Sequence, residues 1–445
     1  MANPLSFKNL GKNSTNKFII AGIAVVLLLI AASILLPDFQ SVRSGGKHLA
    51  AVVAGTSSSS IPLTVPEVTT HVATPKAVKA LYMSSWVAGS PNIRTHVVGL
   101  LDSTEANSIV IDIKDYSGMV SFVTKDESLN AIGCTEKRIS DIGPFIKMLH
   151  EKGVYVIGRL AVFQDPCFVK LHPEAAVKRS SDGGIWKDKK GISWMDAGSK
   201  QVWDHTIQIA KASYDMGFDE INFDYIRFPT DGNMKDILFP SSGTRAKSLV
   251  IGDFFRYIDK NLRGGQASTS SDPAFDTLYK SYTATSTADA TAALHMNSTF
   301  AGAGATSTEG NGRLTLSADL FGLVTVASDD LGIGQTLDQT LPYVDYISPM
   351  VYPSHFGNGW NGFKNPADHP YDVIKISMAG GIAKAESKGL NIQKLRPWLQ
   401  DFNLKATYTP DMVRAQMQAT YDDGLTSWLL WDPNNRYSAS ALHSE

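Results

Sequence analysis

Residues 218–229 (FDEINFDYIRFP) constrain the fold of this chain more than any other segment. They read as a buried β-strand with polar groups near its C-terminal end. Because side chains alternate along a strand, Asn222 and Asp224 lie on the same side. A strand covered on both faces is normally apolar throughout, and an ionised carboxylate there is costly unless it is paired or used. In (β/α)8 barrels the C-terminal strand ends hold the catalytic groups, so the segment predicts a barrel enzyme.

Seven other apolar runs of strand length alternate with helical segments, which is typical of a parallel sheet. The eight predicted strands are at residues 80–86, 108–116, 154–163, 218–229, 314–320, 344–352, 395–402 and 427–432. We therefore predict an α/β fold, a (β/α)8 TIM barrel over residues 78–442. A doubly wound open sheet is the alternative, but no glycine-rich phosphate turn follows an early strand.

Two segments have a composition that cannot support a core. Residues 37–77 contain a run of four serines and several prolines, and we predict a flexible, disordered linker there. Residues 264–312 are rich in Ser, Thr, Ala and Gly. This composition predicts a low-complexity insertion within the barrel domain.

The N-terminal region predicts a membrane anchor. Residues 18–36 are uncharged and mostly apolar, and as a helix they span roughly 29 Å, about one hydrocarbon core. Lys8, Lys12 and Lys17 precede this segment, so the positive-inside rule places residues 1–17 in the cytoplasm and the barrel outside it. A cleaved signal peptide is the alternative, but the apolar run is longer than usual and no small-x-small cleavage site follows.

Charge and motifs exclude several function classes. The net charge is -2 and there is no basic stripe, which argues against nucleic acid as a partner. The ten histidines include no H-E-x-x-H pair, so we expect no metal and no cofactor, and no G-x-S-x-G nucleophile elbow is present. The two cysteines, Cys134 and Cys167, are too few for a disulfide scaffold, and the sequence leaves open whether they are bonded or free.

Polar residues collect near the C-terminal ends of the predicted strands. They are Asp112, Lys114, Arg159, Asp224, Asp319, Gln400, Asp401 and Asp432. Carboxylates that converge on one mouth suit the cleavage of a glycosidic bond, where one carboxyl group donates a proton and another acts as nucleophile or base. Burial and mutual repulsion would separate their pKa values.

Each of these residues also has a structural interpretation. Asp319 could cap the following turn, and Asp432 opens a predicted turn. Asp112 and Lys114 could form an ion pair. Only one of Gln400 and Asp401 can point inward, because neighbouring strand residues alternate.

Aromatic residues near the strand ends favour a sugar substrate, because flat apolar rings can face the C–H surfaces of pyranoses. They are Trp86, Trp186, Trp194, Tyr352, Trp360, Trp398 and Trp431. Each ring taken alone can equally be core filling.

Four segments in order resemble a family of bacterial proteins classed as glycoside hydrolases with a TIM-barrel domain. They are GFDEINFDYIRFP from Gly217, SPMVYPSHF from Ser348, RPWLQDF from Arg396 and WLLW from Trp428, and the resemblance covers about residues 78–440. It implies a barrel related to the α-amylase-like enzymes, with Asp224 as nucleophile and Asp319 as acid/base. Asp319 departs from the usual glutamate at that position.

We therefore expect a membrane-anchored, extracytoplasmic glycoside hydrolase that cleaves a surface or exported polysaccharide with two carboxylates. The predicted substrate-binding residues are Asp112, Lys114, Arg159, Arg227, Tyr352, His355, Trp398, Gln400, Asp401 and Trp431. A catalytically inactive glycan-binding barrel is the alternative. A polysaccharide deacetylase is a third hypothesis, but it would need metal ligands that the sequence does not offer.

Overall fold

The computed structural model describes residues 69–264 and 313–444, which form a closed barrel of eight parallel strands in sequence order. The strands are β1 (Lys79–Met83), β2 (Ser108–Lys114), β3 (Tyr155–Ala161), β4 (Glu220–Asp224), β5 (Thr315–Phe321), β6 (Tyr346–Met350), β7 (Trp398–Gln400) and β8 (Trp428–Trp431). All eight strands predicted from the sequence are present, and the prediction of a (β/α)8-type barrel is confirmed. The open-sheet alternative is wrong, because β1 pairs with β8.

Helices connect most of the strands. In the described part of the chain they are α1 (Ser85–Ala88), α2 (Pro91–Ser103), α3 (Glu127–Ala131), α4 (Ile142–Glu151), α5 (Pro166–Leu171), α6 (Lys200–Tyr214), α7 (Lys247–Arg263), α8 (Leu337–Thr340), α9 (Pro370–Ser387) and α10 (Pro410–Asp422). Between β5 and β6 the four-residue α8 and a 3-10 turn replace a long helix. The long helices form the outer layer. Because the strands are parallel, they all begin at the same face of the barrel and end at the opposite face.

Two glycines end helices where the sequence predicts it. Gly153 follows α4 with φ of 73°, and Gly217 follows α6 with φ of 111°. Both angles are in the region that side chains with a Cβ rarely adopt, so glycine allows the chain to leave the helix and enter the next strand.

Alternation along the strands divides the apolar residues into two cores. Residues such as Ile111, Ile221 and Phe223 face the helices and belong to the larger core. A smaller core inside the barrel includes Ala80 and Ile157. The interior positions of β4 are all polar, and they are Glu220, Asn222 and Asp224. Polar groups therefore occupy the barrel axis from its N-terminal face, the floor, to its C-terminal face, the mouth.

The floor contains a fully buried ion pair. The Arg396 guanidinium donates to both carboxylate oxygens of Glu220, at 2.5 and 3.2 Å, and both side chains are 0% exposed. The Tyr155 hydroxyl and the Ser317 hydroxyl also donate to Glu220, at 3.0 and 2.5 Å. The Arg396 guanidinium lies 3.9 Å from the centroid of the Tyr346 ring. Multiple hydrogen bonds are what a buried ion pair requires to offset its desolvation.

Residues 69–77 cross the floor of the barrel. The Val72 amide donates to Asp219 at 2.7 Å, and the Thr74 hydroxyl donates to the Tyr155 hydroxyl at 3.0 Å. The ring of His71 stacks on Tyr214 with 4.0 Å between centroids. This finding corrects the C-terminal limit of the predicted linker, because residues 69–77 pack on the barrel body.

Cys134 and Cys167 form a disulfide with 5.8 Å between their Cα atoms. Cys134 lies in the loop after β2, and Cys167 lies in α5, which follows β3. The bond therefore joins two mouth loops. Of the two states that the sequence left open, the structure has the bonded one.

We expect that replacing both cysteines by serine lowers the free energy of unfolding by about 3–4 kcal/mol. In the chain-entropy model, opening a crosslink between residues 33 apart restores that much freedom to the unfolded chain. Urea unfolding of the variant and of the oxidised protein measures the difference. An unchanged free energy of unfolding would show that the loops are held by their packing alone.

Three sequence predictions lie outside the described residues: the cytoplasmic segment 1–17, the anchor at 18–36 and most of the linker. The same is true of the insertion, of which only Gly264 is described. Among residues 69–264 and 313–444, no helix is both long enough and apolar enough to cross a membrane.

Candidate active site

Strand register brings the polar residues of four neighbouring strands together at the mouth. Asp112 on β2 is paired in register with Arg159 on β3, and Arg159 is paired with Asn222 on β4. Asp224 ends β4, and Asp319 lies on the adjacent β5. Because these strands are consecutive in the barrel, their inward side chains form one cluster.

Arg159 is the centre of this cluster. Its guanidinium donates to Asp112 at 2.8 Å and to Asp224 through a shorter contact, and its Nε lies 3.7 Å from Asp319 Oδ2. One cation therefore faces three carboxyl groups. The side chains of the three aspartates are at most 5% exposed. Three ionised carboxylates around one guanidinium in a buried site would repel one another, so proton binding to one of them is favoured.

Asp319 is the carboxyl group that takes this proton. Burial and, after it, the charge of the neighbouring Asp224 raise the pKa of Asp319 to about 8, against the lowering effects of Arg159 and of the hydrogen bonds from Trp398 and Asn222. Its Oδ1 accepts from Trp398 Nε1 at 2.7 Å and from Asn222 Nδ2 at 3.0 Å. Its Oδ2 has no hydrogen-bond partner among the described residues. Since Oδ1 already accepts two N–H donors, the proton belongs on Oδ2.

Asp112 is the third carboxyl group. Its Oδ2 accepts the Tyr82 hydroxyl at 2.6 Å, and burial raises the pKa of Asp112. The suggestion from the sequence that Asp112 and Lys114 form an ion pair is wrong. Lys114 instead donates to Asp165 at 2.5 Å, and Asp165 also caps α5 by accepting the Phe168 amide. The register of β2 shifts between Asp112 and Lys114, which accounts for the different surroundings of their side chains.

Asp224 is followed by an unusual backbone conformation. Tyr225 has φ of 53°, in the left-handed region that non-glycine residues rarely adopt. The chain therefore leaves the strand at Asp224, and strand alternation does not apply to the residues after it. Asp224 pairs with Arg159 and forms no ion pair with Arg227. Strained positions of this kind are common at functional sites, and they persist only where the surrounding contacts fix the backbone.

Aromatic rings line the mouth next to the carboxyl cluster. Tyr352 and Trp431 lie 5.1 Å apart, Phe402 and Trp431 lie 5.0 Å apart, and Tyr352 contacts His355 edge-on at 5.1 Å. Trp398 is buried and reaches the cluster through its indole N–H. The structure thus brings four of the predicted substrate-binding residues together beside the carboxyl groups.

Gln400 and Asp401 connect mouth loops to one another. The Gln400 side chain accepts the Ser354 amide at 3.1 Å and donates to the Phe402 carbonyl at 2.8 Å. Asp401 accepts from the amide and the hydroxyl of Ser438, at 2.7 and 2.8 Å. The contacts of Asp401 fasten the C-terminal segment. The contacts of Lys114 are likewise internal.

Arg227 lies at the mouth between the loops after β3 and β4. Its guanidinium lies 4.8 Å from the centroid of the Trp194 ring and donates to the Phe228 carbonyl at 3.2 Å. The sequence named Arg227 as a binding residue, and the structure leaves it half-buried at the rim.

Two residues of the cluster are absent from the sequence-based site. Tyr82 bonds Asp112, and Asn222 bonds both Asp319 and Ser317. Alternation placed Asn222 on the same side as Asp224, and Tyr82 occupies an inward position of β1. Strand parity alone could therefore have identified both as site residues.

No group of three or more His, Cys, Asp or Glu side chains within residues 69–264 and 313–444 has the geometry of a metal site. Arg159 is the cation that Asp112 and Asp224 contact.

Several solved structures resemble this chain. A hypothetical protein from Ruminiclostridium thermocellum is 37% identical, with 41% of this chain and 93% of that chain covered and a TM-score of 0.38. An α-galactosidase from Thermus thermophilus is 11% identical, with 81% and 59% covered and a TM-score of 0.44. The glycoside hydrolase domain of PelA from Pseudomonas aeruginosa is 9% identical, with 84% and 98% covered and a TM-score of 0.38.

This chain spans 59% of the α-galactosidase chain. No curated protein sequence matches it significantly. A family model does match most of its length, over residues 80–298 and 303–437, which include the barrel strands except for the first residue of β1 and every residue of the carboxyl cluster. The chain therefore belongs to the family described as "Putative glycosyl hydrolase domain".

Proposed function

We propose that this protein hydrolyses glycosidic bonds of a polysaccharide outside the cytoplasm, with Asp319 as general acid and Asp224 as nucleophile or general base. The observation that carries the proposal is the pair of buried carboxyl groups on neighbouring strands, one with a pKa raised to about 8 and the other paired with Arg159. Glycoside hydrolysis needs one protonated and one ionised carboxyl group at neutral pH.

The hydrogen bonds of Asp319 suit the acid. Trp398 and Asn222 hold Oδ1, which fixes the orientation of the carboxyl group and leaves Oδ2 free to donate. A proton on Oδ2 can pass to the oxygen of the departing sugar as the glycosidic bond breaks. The Asp319 carboxylate that remains is then stabilised by Arg159 and by the two N–H donors.

The ion pair of Asp224 suits the ionised partner. Arg159 compensates the Asp224 charge, and Asp112 in turn holds Arg159 from the other side. An anchored carboxylate can attack the anomeric carbon directly, or it can remove a proton from an attacking water. Either role requires that the carboxylate keep its negative charge while Asp319 keeps its proton.

Exposed aromatic rings at the mouth support a polymeric sugar substrate. Trp86, just after β1, is 60% exposed, and its ring rests on the Arg138 guanidinium at 4.5 Å. Arg138 is itself held by Asp115 and Glu136, so the indole has a fixed support beneath one face. The other face is available for the C–H surface of a sugar ring. Fixed aromatic faces cost little conformational entropy when they bind a ligand.

The proposal places the barrel outside the cytoplasm because of the lysines before residues 18–36 and because of the disulfide, a bond that persists in oxidising compartments. Protease added to spheroplasts is expected to digest the barrel and leave a protected N-terminal fragment. Complete protection of the barrel would refute the location.

The function itself is tested by incubating the purified protein with a panel of polysaccharides and measuring new reducing ends. We expect release of reducing ends from at least one of them, and no release by Asp224→Asn. Binding without release by the wild type would favour the catalytically inactive glycan-binding barrel.

We expect kcat/KM to fall as pH rises through about 8, because Asp319 must be protonated to act as the acid.

The Asp319→Asn variant should lose most of its activity on a natural glycan. It should retain much more on a nitrophenyl glycoside, whose leaving group needs little protonation. The rates of both proteins on both substrates from pH 5 to pH 10 make the measurement. Equal losses on the two substrates would exclude Asp319 as the proton donor.

A further inference from the structure

We infer that the polysaccharide is acidic, and that Arg227 together with a lysine-bearing hairpin at residues 187–193 recognises its anionic groups. This inference rests on the proposed function and narrows its substrate class to glycans that carry carboxylate or sulfate groups. The observations that support it are the unpaired charge of Arg227, the way its side chain is held, and the charge of the loop beside it.

Arg227 is a half-buried cation that no carboxylate of the described residues pairs with. Within the described part of the chain its guanidinium donates to the Phe228 carbonyl at 3.2 Å, which leaves most of its N–H groups for another partner. Burial lowers the pKa of the guanidinium, and the charges of Asp224, Asp231 and Asp188 compensate this only in part. A partly desolvated arginine gains strongly from an anionic group that it can bind with two parallel hydrogen bonds.

The Arg227 side chain is held in place before any ligand arrives. It lies over the Trp194 ring, which is 0% exposed and is fixed by a 3.0 Å hydrogen bond from its indole N–H to Asp188. The strained turn at Tyr225 sets the direction in which the chain leaves Asp224 toward Arg227. A pre-organised guanidinium three residues after the proposed nucleophile suits recognition of a charged sugar close to the scissile bond.

The loop after β3 adds positive charge on the same side. Lys187 and Ser193 form an antiparallel bridge, and Lys187, Lys189 and Lys190 are all exposed. None of the three lysines forms a salt bridge within the part of the chain that the structure describes.

The acidic residue of the hairpin does not offset these lysines at the surface. Asp188 turns inward, where it accepts the amides of Lys190 and Ile192, both at 2.9 Å, and the Trp194 indole. The lysine hairpin therefore presents positive charge to solvent on a chain whose net charge is -2.

The inference also fits the rest of the mouth. Arg159 and Lys114 are already paired with carboxylates, so neither is available to a ligand without breaking a buried ion pair. Arg138 is paired with Asp115 and Glu136. Among these mouth cations, Arg227 is the one whose contacts leave its charge without a carboxylate partner.

The test compares glycans that differ only in charge. The purified full chain carrying Asp224→Asn, which prevents turnover, is titrated with polygalacturonate and with its highly methyl-esterified form, and with dextran sulfate and dextran. We expect tighter binding to the charged member of at least one pair, and the pair that responds identifies carboxylate or sulfate as the group recognised. Adding Arg227→Gln should weaken binding to that member about tenfold or more, since hydrogen bonds to charged groups contribute roughly 1.5–3 kcal/mol.

Three further variants separate specific recognition from general attraction. Arg436→Gln removes the same charge from an exposed position in the loop after β8, and it should leave the affinity nearly unchanged. Replacing Lys187, Lys189 and Lys190 by serine should reduce the salt dependence of binding, because exposed charges act at long range and are screened. Arg227→Lys keeps the charge and loses the planar fork, so an intermediate affinity is expected.

Equal binding of charged and neutral members of both pairs, or no effect of Arg227→Gln in a variant with an unchanged melting temperature, would overturn the inference. Wild-type hydrolysis of a neutral glycan would then still stand as the function. Conversely, Arg227-dependent binding without cleavage of the bound glycan by the wild type would retain the inference and reject hydrolysis.

Discussion

Replacing Asp224 by asparagine is expected to lower kcat/KM by on the order of 10⁴-fold or more, as removal of a central catalytic group does in other hydrolases. The amide keeps the shape of the side chain, but it can neither attack an anomeric carbon nor take a proton from water. Arg159 keeps its ion pair with Asp112 in the variant, so the cluster retains a charged partner for the guanidinium. The measurement is steady-state kinetics on the glycan that the reducing-end assay identifies.

Asp432→Asn is a matched control, because Asp432 is also a buried carboxyl group at the mouth. Its carboxylate accepts the Asn434 amide at 2.6 Å, within a turn after β8. We expect kcat/KM of that variant to stay within a few-fold of the wild type. Comparable activity of Asp224→Asn and the wild type would remove Asp224 from the mechanism.

A smaller side chain at Asp224 distinguishes its two possible roles. In Asp224→Gly, added azide can occupy the space that the carboxylate leaves and attack the anomeric carbon. Rescue with formation of a glycosyl azide indicates that Asp224 is the nucleophile of a retaining enzyme. Without a glycosyl azide, general-base catalysis by Asp224 is favoured, with water attacking in one step.

The largest effect on stability is expected at the floor of the barrel. Glu220→Gln should lower the free energy of unfolding by about 3–5 kcal/mol, because it leaves Arg396 buried without a countercharge. Arg396 is 0% exposed, and Glu220 is the carboxylate that it contacts. Urea unfolding followed by tryptophan fluorescence gives the measurement.

The double variant Glu220→Met with Arg396→Met tests whether the unpaired charge of Arg396 causes the loss of stability. Replacement of both charges by apolar residues of similar volume is often neutral or stabilising, so it should recover much of the loss. Lys152→Gln is the surface control, since Lys152 pairs with Asp102 at 2.7 Å with both side chains more than a third exposed. A loss from Glu220→Gln no larger than that of the control would show that water or relaxation compensates Arg396.

The barrel could be predicted from the sequence because its strands are apolar runs with regular spacing and its helices end at glycine. Alternation also placed Asp112, Arg159 and Asp224 on inward positions, and these residues do meet. The limits of prediction follow from contacts between distant segments. Asp165 lies 51 residues from Lys114, and no local pattern indicates that the two would pair.

The same reason accounts for the floor and the disulfide. Glu220 and Arg396 are 176 residues apart in the sequence. They meet because Glu220 on β4 and Arg396, just before β7, both place their side chains inside the barrel. Cys134 and Cys167 come together because the loops after β2 and β3 are neighbours at the mouth. Parity arguments also fail where the backbone leaves the strand, as it does at Tyr225, so the position of Arg227 could not be deduced from its spacing to Asp224.

Residues 69–77 cross the floor of the barrel, at the end opposite the carboxyl cluster. A pulling force applied to the chain upstream of residue 69 acts first on the contacts of Val72 and Thr74 with Asp219 and Tyr155. Those contacts lie at the opposite end of the barrel from Arg159 and the carboxyl cluster. Tension can therefore detach the floor segment while the geometry of the carboxyl cluster stays intact, and single-molecule stretching from the N-terminus should show a low-force release before the barrel opens.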